Sequence, residues 1–171
     1  MFYTILDDLI LYQSLTIKPS KYSNDELKLH NYFYNKTQID PSYIISIEIE
    51  EEHFIFFFIN KNDYFQAKRH LNSIRNEIKH RKVLIIRDDK ILINFIFNLF
   101  ADLYIDNVDI EINHIKGKYE ISIYFLKDLN NYHIAVGKRG CYIKAINELF
   151  NKYIKFINCK TPLTIKCSVT V

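Results

Sequence analysis

The sequence predicts an α+β fold of two similar units, each with the order helix–strand–strand–helix–strand and a mixed three-stranded sheet with helices on one face. Hydrophobic residues make up 49% of the 171 residues and charged residues 25%, as in a globular chain with a real core. Apolar residues first alternate in two successive short segments and then recur at helical spacing. This succession occurs twice, about 65 residues apart, and therefore indicates an internal duplication, although hairpins followed by helices are common in any α+β domain.

The first unit is predicted from the weaker pattern. A helix over residues 24–35 begins at Ser23 or Asn24, both of which are residue types favoured as N-caps. The remaining elements follow from apolar alternation or helical spacing: a strand at Ile45–Ile49, a charged turn at Glu50–Glu52, a strand at Phe54–Ile59, a helix through Ala67, Leu71, Ile74 and Ile78, and a strand at Val83–Ile86.

The second unit has clearer boundaries. Its predicted elements are a helix over 90–103, a strand through Val108, Ile110 and Ile112, a turn at Lys116–Lys118, a strand at Tyr119–Phe125, an apolar run at His133–Val136, a loop at Gly137–Gly140, a helix from Tyr142 to Ile154, a connection closed by Pro162, and a strand from Leu163 to Val171. The predicted division is an N-terminal extension of unknown role at 1–40, a first domain at 41–89 and a second domain at 90–171.

Charge is distributed unevenly along the chain, although the net charge is only +3. Residues 1–65 carry 5 basic and 10 acidic residues, residues 66–126 carry 10 and 8, and residues 127–171 carry 8 and 2. A basic C-terminal third attracts polyanions, although a lysine-rich solvated helix face gives the same composition. The sequence therefore allows a nucleic-acid ligand without identifying one.

Several classes of protein do not fit this sequence. No stretch approaches the roughly 18 apolar residues of a membrane span, so no membrane partner is expected. Residues 1–15 lack the basic leader of a secretory signal. Cys141, Cys159 and Cys167 have no metal-ligand spacing and suit a reducing compartment. We expect a cytoplasmic protein, and the AT-rich coding that the composition indicates leaves an organelle matrix or a virus-encoded protein open.

The segment Gly137-Lys138-Arg139-Gly140 is the clearest candidate site. The whole chain has three glycines, and two of them stand three residues apart at the start of a helix. Glycine permits positive φ and close approach of another molecule, and a helix start offers free N–H groups to phosphate. Lys138 and Arg139 add positive charge for phosphate oxygens. The alternative is a helix start whose glycines serve tight packing alone.

Apolar and basic residues surround this loop and complete the predicted RNA-binding set. Ile134 and Val136 before the loop and Ile143 after it are expected to floor a groove for unpaired bases. Tyr142 could stack on a base, and Lys144 adds charge. Lys152 and Lys155 are candidates for peripheral charge.

The segment from His133 to Asn147, which contains Val136-Gly137-Lys138-Arg139-Gly140-Cys141-Tyr142-Ile143, resembles the Ile-Gly-Lys-x-Gly-x-x-Ile signature of KH domains. The order of elements around it is similar to that of type II KH domains. The tandem arrangement over residues 43–160 resembles the short archaeal NusA-like transcription factors. This resemblance implies single-stranded RNA binding by residues 104–158, whereas residues 1–40 have no counterpart.

The first unit departs from the KH pattern at its own loop. The segment Tyr64–Leu71 contains no glycine, and its loop is shortened. A Cβ at these positions is expected to block close backbone approach, so this unit is predicted to be degenerate. Lys68, Arg69 and His70 could still contact phosphate, although an ordinary solvated helix start explains them as well.

Other chemistry-bearing residues carry no prediction of catalysis. Glu50–His53 point in different directions from a turn and are read as solvated rather than as a metal site. Cys141 has no recognisable partner, and His133 and Tyr132 flank the loop with structural roles or base contacts both open. We expect no enzyme activity, no cofactor and no metal.

The function implied by the resemblance is that of a NusA-like transcription elongation or termination accessory factor, acting with RNA polymerase on single-stranded RNA. Two alternatives stay open. One is a ribosome-associated KH protein, either a component of the small ribosomal subunit or an assembly factor. The other is a KH-fold protein–protein scaffold that no longer contacts nucleic acid.

Overall fold

The structure is a computed structural model that describes residues 9–18, 21–113, 117–127, 129–157 and 163–170. Within these ranges it contains, in chain order, β1 (Leu15–Ile17), α1 (Asn24–Thr37), β2 (Tyr43–Ile49), β3 (Glu52–Ile59), α2 (Tyr64–Lys68), α3 (Leu71–Glu77), β4 (Lys82–Arg87), α4 (Leu92–Leu99), β5 (Asn107–Asn113), β6 (Lys118–Phe125), α5 (Asn131–Val136), α6 (Cys141–Lys152), β7 (Ile154–Phe156) and β8 (Leu163–Val169). Among the sequence predictions, those at Lys116, Cys159, Pro162 and Val171 lie outside the described residues.

Two three-stranded sheets with the same topology form the framework, and the α+β prediction is confirmed. In sheet A, β2 is antiparallel to β3, and β3 is parallel to β4. In sheet B, β5 is antiparallel to β6, and β6 is parallel to β8. A parallel connection needs a crossover, which α2–α3 and α5–α6 provide. Each crossover thus contains two helices where the sequence pattern predicted one.

Helix α1 begins where its sequence predicts. The Ser23 side chain accepts a hydrogen bond from the Glu26 amide at 3.2 Å, and the Ser23 amide donates to Glu26 Oε2 at 2.8 Å. This reciprocal capping box satisfies two amides that the first turn of a helix leaves without partners. Ser23, one of the two predicted caps, is therefore the N-cap.

Sheet A is covered on both faces, because all six residues of Phe54–Ile59 are buried. Ile55, Phe57 and Ile59 pack on α1, α2 and α3 of the same unit, and the Phe57 ring lies 4.5 Å from that of Phe33. Phe54, Phe56 and Phe58 face α4 and α6 of the second unit. A continuous apolar run is typical of a strand that is buried on both faces. Helices of its own unit thus cover one face, as predicted, and the second unit covers the other.

The N-terminal segment pairs with a strand that comes late in the chain. β1 is antiparallel to β7, with Leu15 opposite Phe156. The Leu15 amide donates to the Lys90 carbonyl at 2.8 Å, and the Leu92 amide donates to the Gln13 carbonyl at 3.1 Å. This segment therefore contacts both the predicted linker and the chain after α6. The division at residues 40 and 89 stays a prediction.

No helix of the described chain is long and apolar enough to cross a membrane.

Candidate nucleic-acid interface

The loop Gly137–Gly140 is a tight turn between two helices. α5 ends at Val136, Lys138–Gly140 form one 3₁₀ turn, and α6 begins at Cys141. Gly137, Arg139 and Gly140 all have positive φ, at 78°, 54° and 71°. Three left-handed residues out of four are costly for ordinary side chains, so two glycines here are expected on backbone grounds.

Gly137 is required by the packing of the loop itself. A Cβ at this position would lie 2.7 Å from Tyr142 Cβ and 2.9 Å from Tyr142 N. Neither atom belongs to a flexible side-chain end that could move aside. The packing alternative that the sequence left open therefore accounts for Gly137.

Gly140 is different because the space beside it is open. A Cβ there would meet nothing closer than Val136 Cγ1 at 3.9 Å and Ile143 Cγ2 at 4.0 Å. Both of these apolar side chains are half-buried. The Gly140 backbone therefore lies between two apolar side chains, in an arrangement that allows a ligand backbone to approach.

Positive charge and free amides accompany this opening. Lys138 and Arg139 are exposed. No described residue accepts a hydrogen bond from their amides, and no side chain caps the start of α6. Unpaired amides at the positive end of a 12-residue helix, beside two cations, suit an anionic oxygen.

An acidic turn of the first unit lies beside this basic loop. Lys144 Nζ lies 2.9 Å from Glu50 Oε1, and both side chains are about half exposed. The hydrogen bond from Lys144 lowers the pKa of the Glu50 carboxyl, and the charge of Arg139 contributes to the same shift. The same pair raises the pKa of the Lys144 ammonium. The turn at Glu50–Glu52, read from sequence as merely solvated, is thus an electrostatic neighbour of the candidate site.

Tyr142 lies between the two units. Its ring packs near those of Phe54, Phe56 and Phe100, with centroids at 5.9, 6.5 and 6.0 Å. Its hydroxyl donates to the Leu99 carbonyl, and burial raises the pKa of that hydroxyl. The ring therefore serves the contact between units. Because Tyr142 is half-buried, a base could reach only part of it.

The predicted site residues divide between two sides of the loop. Val136 and Ile143 flank Gly140, whereas Ile134 and Gly137 line a cavity between the two units. His133 is exposed, and its ring lies edge-on to Tyr132 at 5.5 Å. Lys155 is exposed in β7, and Lys152 forms an ion pair with Glu148.

The corresponding connection in the first unit lacks this geometry. Only Arg69 and His70 separate α2 from α3, and both have right-handed helical backbone angles. The predicted shortened loop is confirmed. Lys68 Nζ contacts both carboxylate oxygens of Asp102 at 2.8 Å, so its charge is already paired.

Metal-ligating and thiol groups are dispersed. Among the described residues, no three His, Cys, Asp or Glu side chains are grouped so that they could hold a metal ion. Cys141 and Cys167 are free thiols. Burial raises the pKa of the Cys167 thiol to about 12.

Comparisons with known proteins bear on the fold alone. No family model matches this sequence, and no curated protein matches it either. Among solved structures, the crystal structure of APE1850 is similar to this chain with a TM-score of 0.55 and 18% sequence identity. The match covers 86% of this chain and 100% of that chain, so the two share their architecture over most of their length.

Proposed function

We propose that this protein binds single-stranded RNA through the loop Gly137–Gly140 as a type II KH module, and that it acts in the cytoplasm as a NusA-like transcription elongation or termination accessory factor. The observation that carries the proposal is the open backbone at Gly140, with Val136 and Ile143 on either side and two exposed cations next to it. The helix–loop–helix crossover between parallel strands β6 and β8 supports it.

The mechanism divides recognition between backbone and bases. Phosphate oxygens accept hydrogen bonds from the amides of Lys138 and Arg139, and the two side chains neutralise charge. Unpaired bases pack on Val136 and Ile143, where single-stranded RNA can present its faces. Two to three neutralised phosphates give a slope of log K against log salt of about −1.4 to −2.1 for a single strand.

Gly140 offers a sharper test than Gly137, because Gly137 variants would disturb the loop directly. Gly140→Asp adds a side chain and a negative charge at the open face. We expect it to weaken RNA binding more than about tenfold, since it blocks approach and repels phosphate. Gly140→Asn adds nearly the same volume without charge and is expected to have a smaller effect. Fluorescence anisotropy with short single-stranded RNAs over a salt series measures both.

Gly117→Asp is the matched control. Gly117 also has positive φ, at 59°, and a Cβ there would meet nothing within 4 Å. It therefore introduces the same backbone strain and charge at the β5–β6 turn. We expect wild-type affinity from this variant, with circular dichroism confirming that all variants are folded. Absence of wild-type binding at low salt, or equal binding by Gly140→Asp, would refute the RNA proposal and favour the scaffold alternative.

The ribosomal alternative makes a different prediction. A ribosome-associated protein would sediment with ribosomal subunits at physiological salt, whereas a transcription factor would be recovered with RNA polymerase. Gradient sedimentation of a cell extract with antibody detection separates these two.

A further inference from the structure

A cavity of about 670 Å³ lies between the two units, beside the candidate loop. Its apolar walls come from both units: Phe54, Val83 and Leu84 from the first, and Leu99, Phe100 and Tyr142 from the second. This volume falls in the range of pockets that bury small organic ligands. It exceeds what one base requires, so it can hold one or two nucleotides.

This cavity is distinct from the opening at Gly140. Ile134, whose side chain is 57% exposed, and Gly137 line it, whereas Val136 and Ile143 do not. The loop thus has one concave surface on each side. An RNA strand that crosses the loop would therefore pass from the surface at Gly140 into the cavity on the other side.

The charge of the cavity suits a polyanion. Three cationic side chains from the first unit line it: Arg75, Arg81 and Lys82. Asp102 is the one acidic residue among the described residues that line it, and Lys68 pairs with it at 2.8 Å. A cationic lining with a single, already paired acid favours an anionic occupant.

The existing partners of these three cations leave charge available. Arg75 donates only Nε, to the Val83 carbonyl at 3.0 Å, and its Nη atoms bond no other described residue. Lys82 has a long 3.6 Å pair with Glu52 and lies 5.7 Å from the centre of the Phe54 ring. Arg81 is held by Asp25 at 2.9 Å. Arg75 and Lys82 are therefore the groups that can contact a phosphate.

We propose that this cavity is a second nucleotide-binding subsite, which takes one or two unpaired nucleotides of the same RNA strand that the loop holds. Their bases pack against the apolar walls, and Arg75 and Lys82 contact their phosphates. The proposal rests on RNA binding by the loop. It gives the first unit, which has no glycine loop, a direct part in binding.

RNAs of two lengths distinguish binding at the loop alone from binding at the loop and the cavity together. Random-sequence pools of 4-nucleotide and 8-nucleotide RNA are titrated into the full-length protein, because a KH loop holds about four nucleotides. Beyond the statistical gain from the extra binding registers of a longer RNA, we expect the longer pool to bind wild-type protein about tenfold more tightly, in line with the stacking of an additional base. Lys82→Gln removes a cation from the cavity, and Ala101→Trp fills the cavity from an exposed position. Both variants are expected to bind the 4-nucleotide pool normally and to reduce this additional gain to less than about threefold.

The control is Lys90→Gln, which removes another exposed lysine beyond the opposite end of β4. This variant is expected to keep the wild-type gain. The statistical gain from the extra registers of a longer RNA is the same for every variant, so it cancels when each variant is compared with wild type on the same two pools. An unchanged or larger gain in both cavity variants would overturn the second subsite while leaving the loop intact. Absence of wild-type binding to either pool would refute the proposed function together with the subsite.

Discussion

Gly137 and Gly140 look equivalent in the motif, but their surroundings assign them different roles. The Cβ that Gly137 lacks would collide with the backbone of α6, whereas the Cβ that Gly140 lacks would occupy open space. The first glycine is thus explained by folding and the second is available for a ligand. A motif match alone cannot distinguish these roles, because it does not show which atoms surround each glycine. Backbone angles do not distinguish them either, since φ is positive at both.

If the loop binds RNA as proposed, Glu50 would compete with RNA for Lys144, because the two side chains form an ion pair next to the loop. Glu50→Gln frees the Lys144 ammonium and removes a negative charge near the proposed phosphate contacts of the loop. We expect RNA affinity to rise roughly twofold to fivefold at low salt, the range set by an exposed ion pair, and the gain to shrink at high salt. Anisotropy titrations at two salt concentrations measure it.

Glu51→Gln is the matched comparison for this effect. It removes the same charge from the same turn, and no described residue pairs with Glu51. Equal gains from both variants would mean that Lys144 is not held by Glu50 in solution.

At the scale of elements, the strand pair β1–β7 secures the N-terminal segment to the rest of the molecule. Thr16 lies opposite Lys155 in this pair. Thr16→Pro removes a backbone donor and fixes φ in the middle of a strand. We expect the free energy of unfolding to fall by about 2–3 kcal/mol, measured by urea denaturation.

Thr16→Val, which keeps a β-branched residue at the same exposed position, should be close to neutral. Identical urea midpoints for the proline and valine variants would show that this strand pair contributes nothing to stability.

The elements also show what the sequence could predict. Long segments were predictable: β6 and α6 because many residues report the same face, and β3 because it is a continuous apolar run. β1 and β7 have three residues each, and α5 has six, so none of them contains enough periods to stand out. The partner of β1 lies far along the chain, where no local pattern can identify it.

The candidate site was predictable in part. The loop and its two cations follow from residue types at fixed spacing. The nearness of Glu50, and of Arg75 and Lys82, depends on the packing of one unit on the other. For Lys82 alone, the sequence offered a signal in the basic run Lys79–Lys82, which by itself also describes a solvated turn.

At the scale of the whole molecule, the face of sheet A that carries Phe54, Phe56 and Phe58 couples the two units. Neighbouring residues allow this coupling to be tested, since Phe57 and Phe58 are both fully buried but face opposite sides. We expect alanine at either position to destabilise the protein by about 3–5 kcal/mol.

The two variants should differ in where the protein opens. Phe58→Ala is expected to speed amide hydrogen exchange in α4 and α6, because the Phe58 ring packs 5.8 Å from that of Phe95. Phe57→Ala should speed exchange mainly in α1, α2 and α3. Exchange patterns confined to residues 24–87 in both variants would contradict coupling through sheet A.

The pairing of β1 with β7 has a consequence for synthesis of the chain on the ribosome. Thr16 and Lys155 are 139 residues apart, so β1 leaves the ribosome long before its partner exists. At typical translation rates this interval is roughly 7–28 s, during which Leu15 and Ile17 have no strand to pair with. Closure of this small sheet must therefore be a late step of folding, and a chain interrupted before β7 would expose an apolar N-terminal strand to the quality-control machinery.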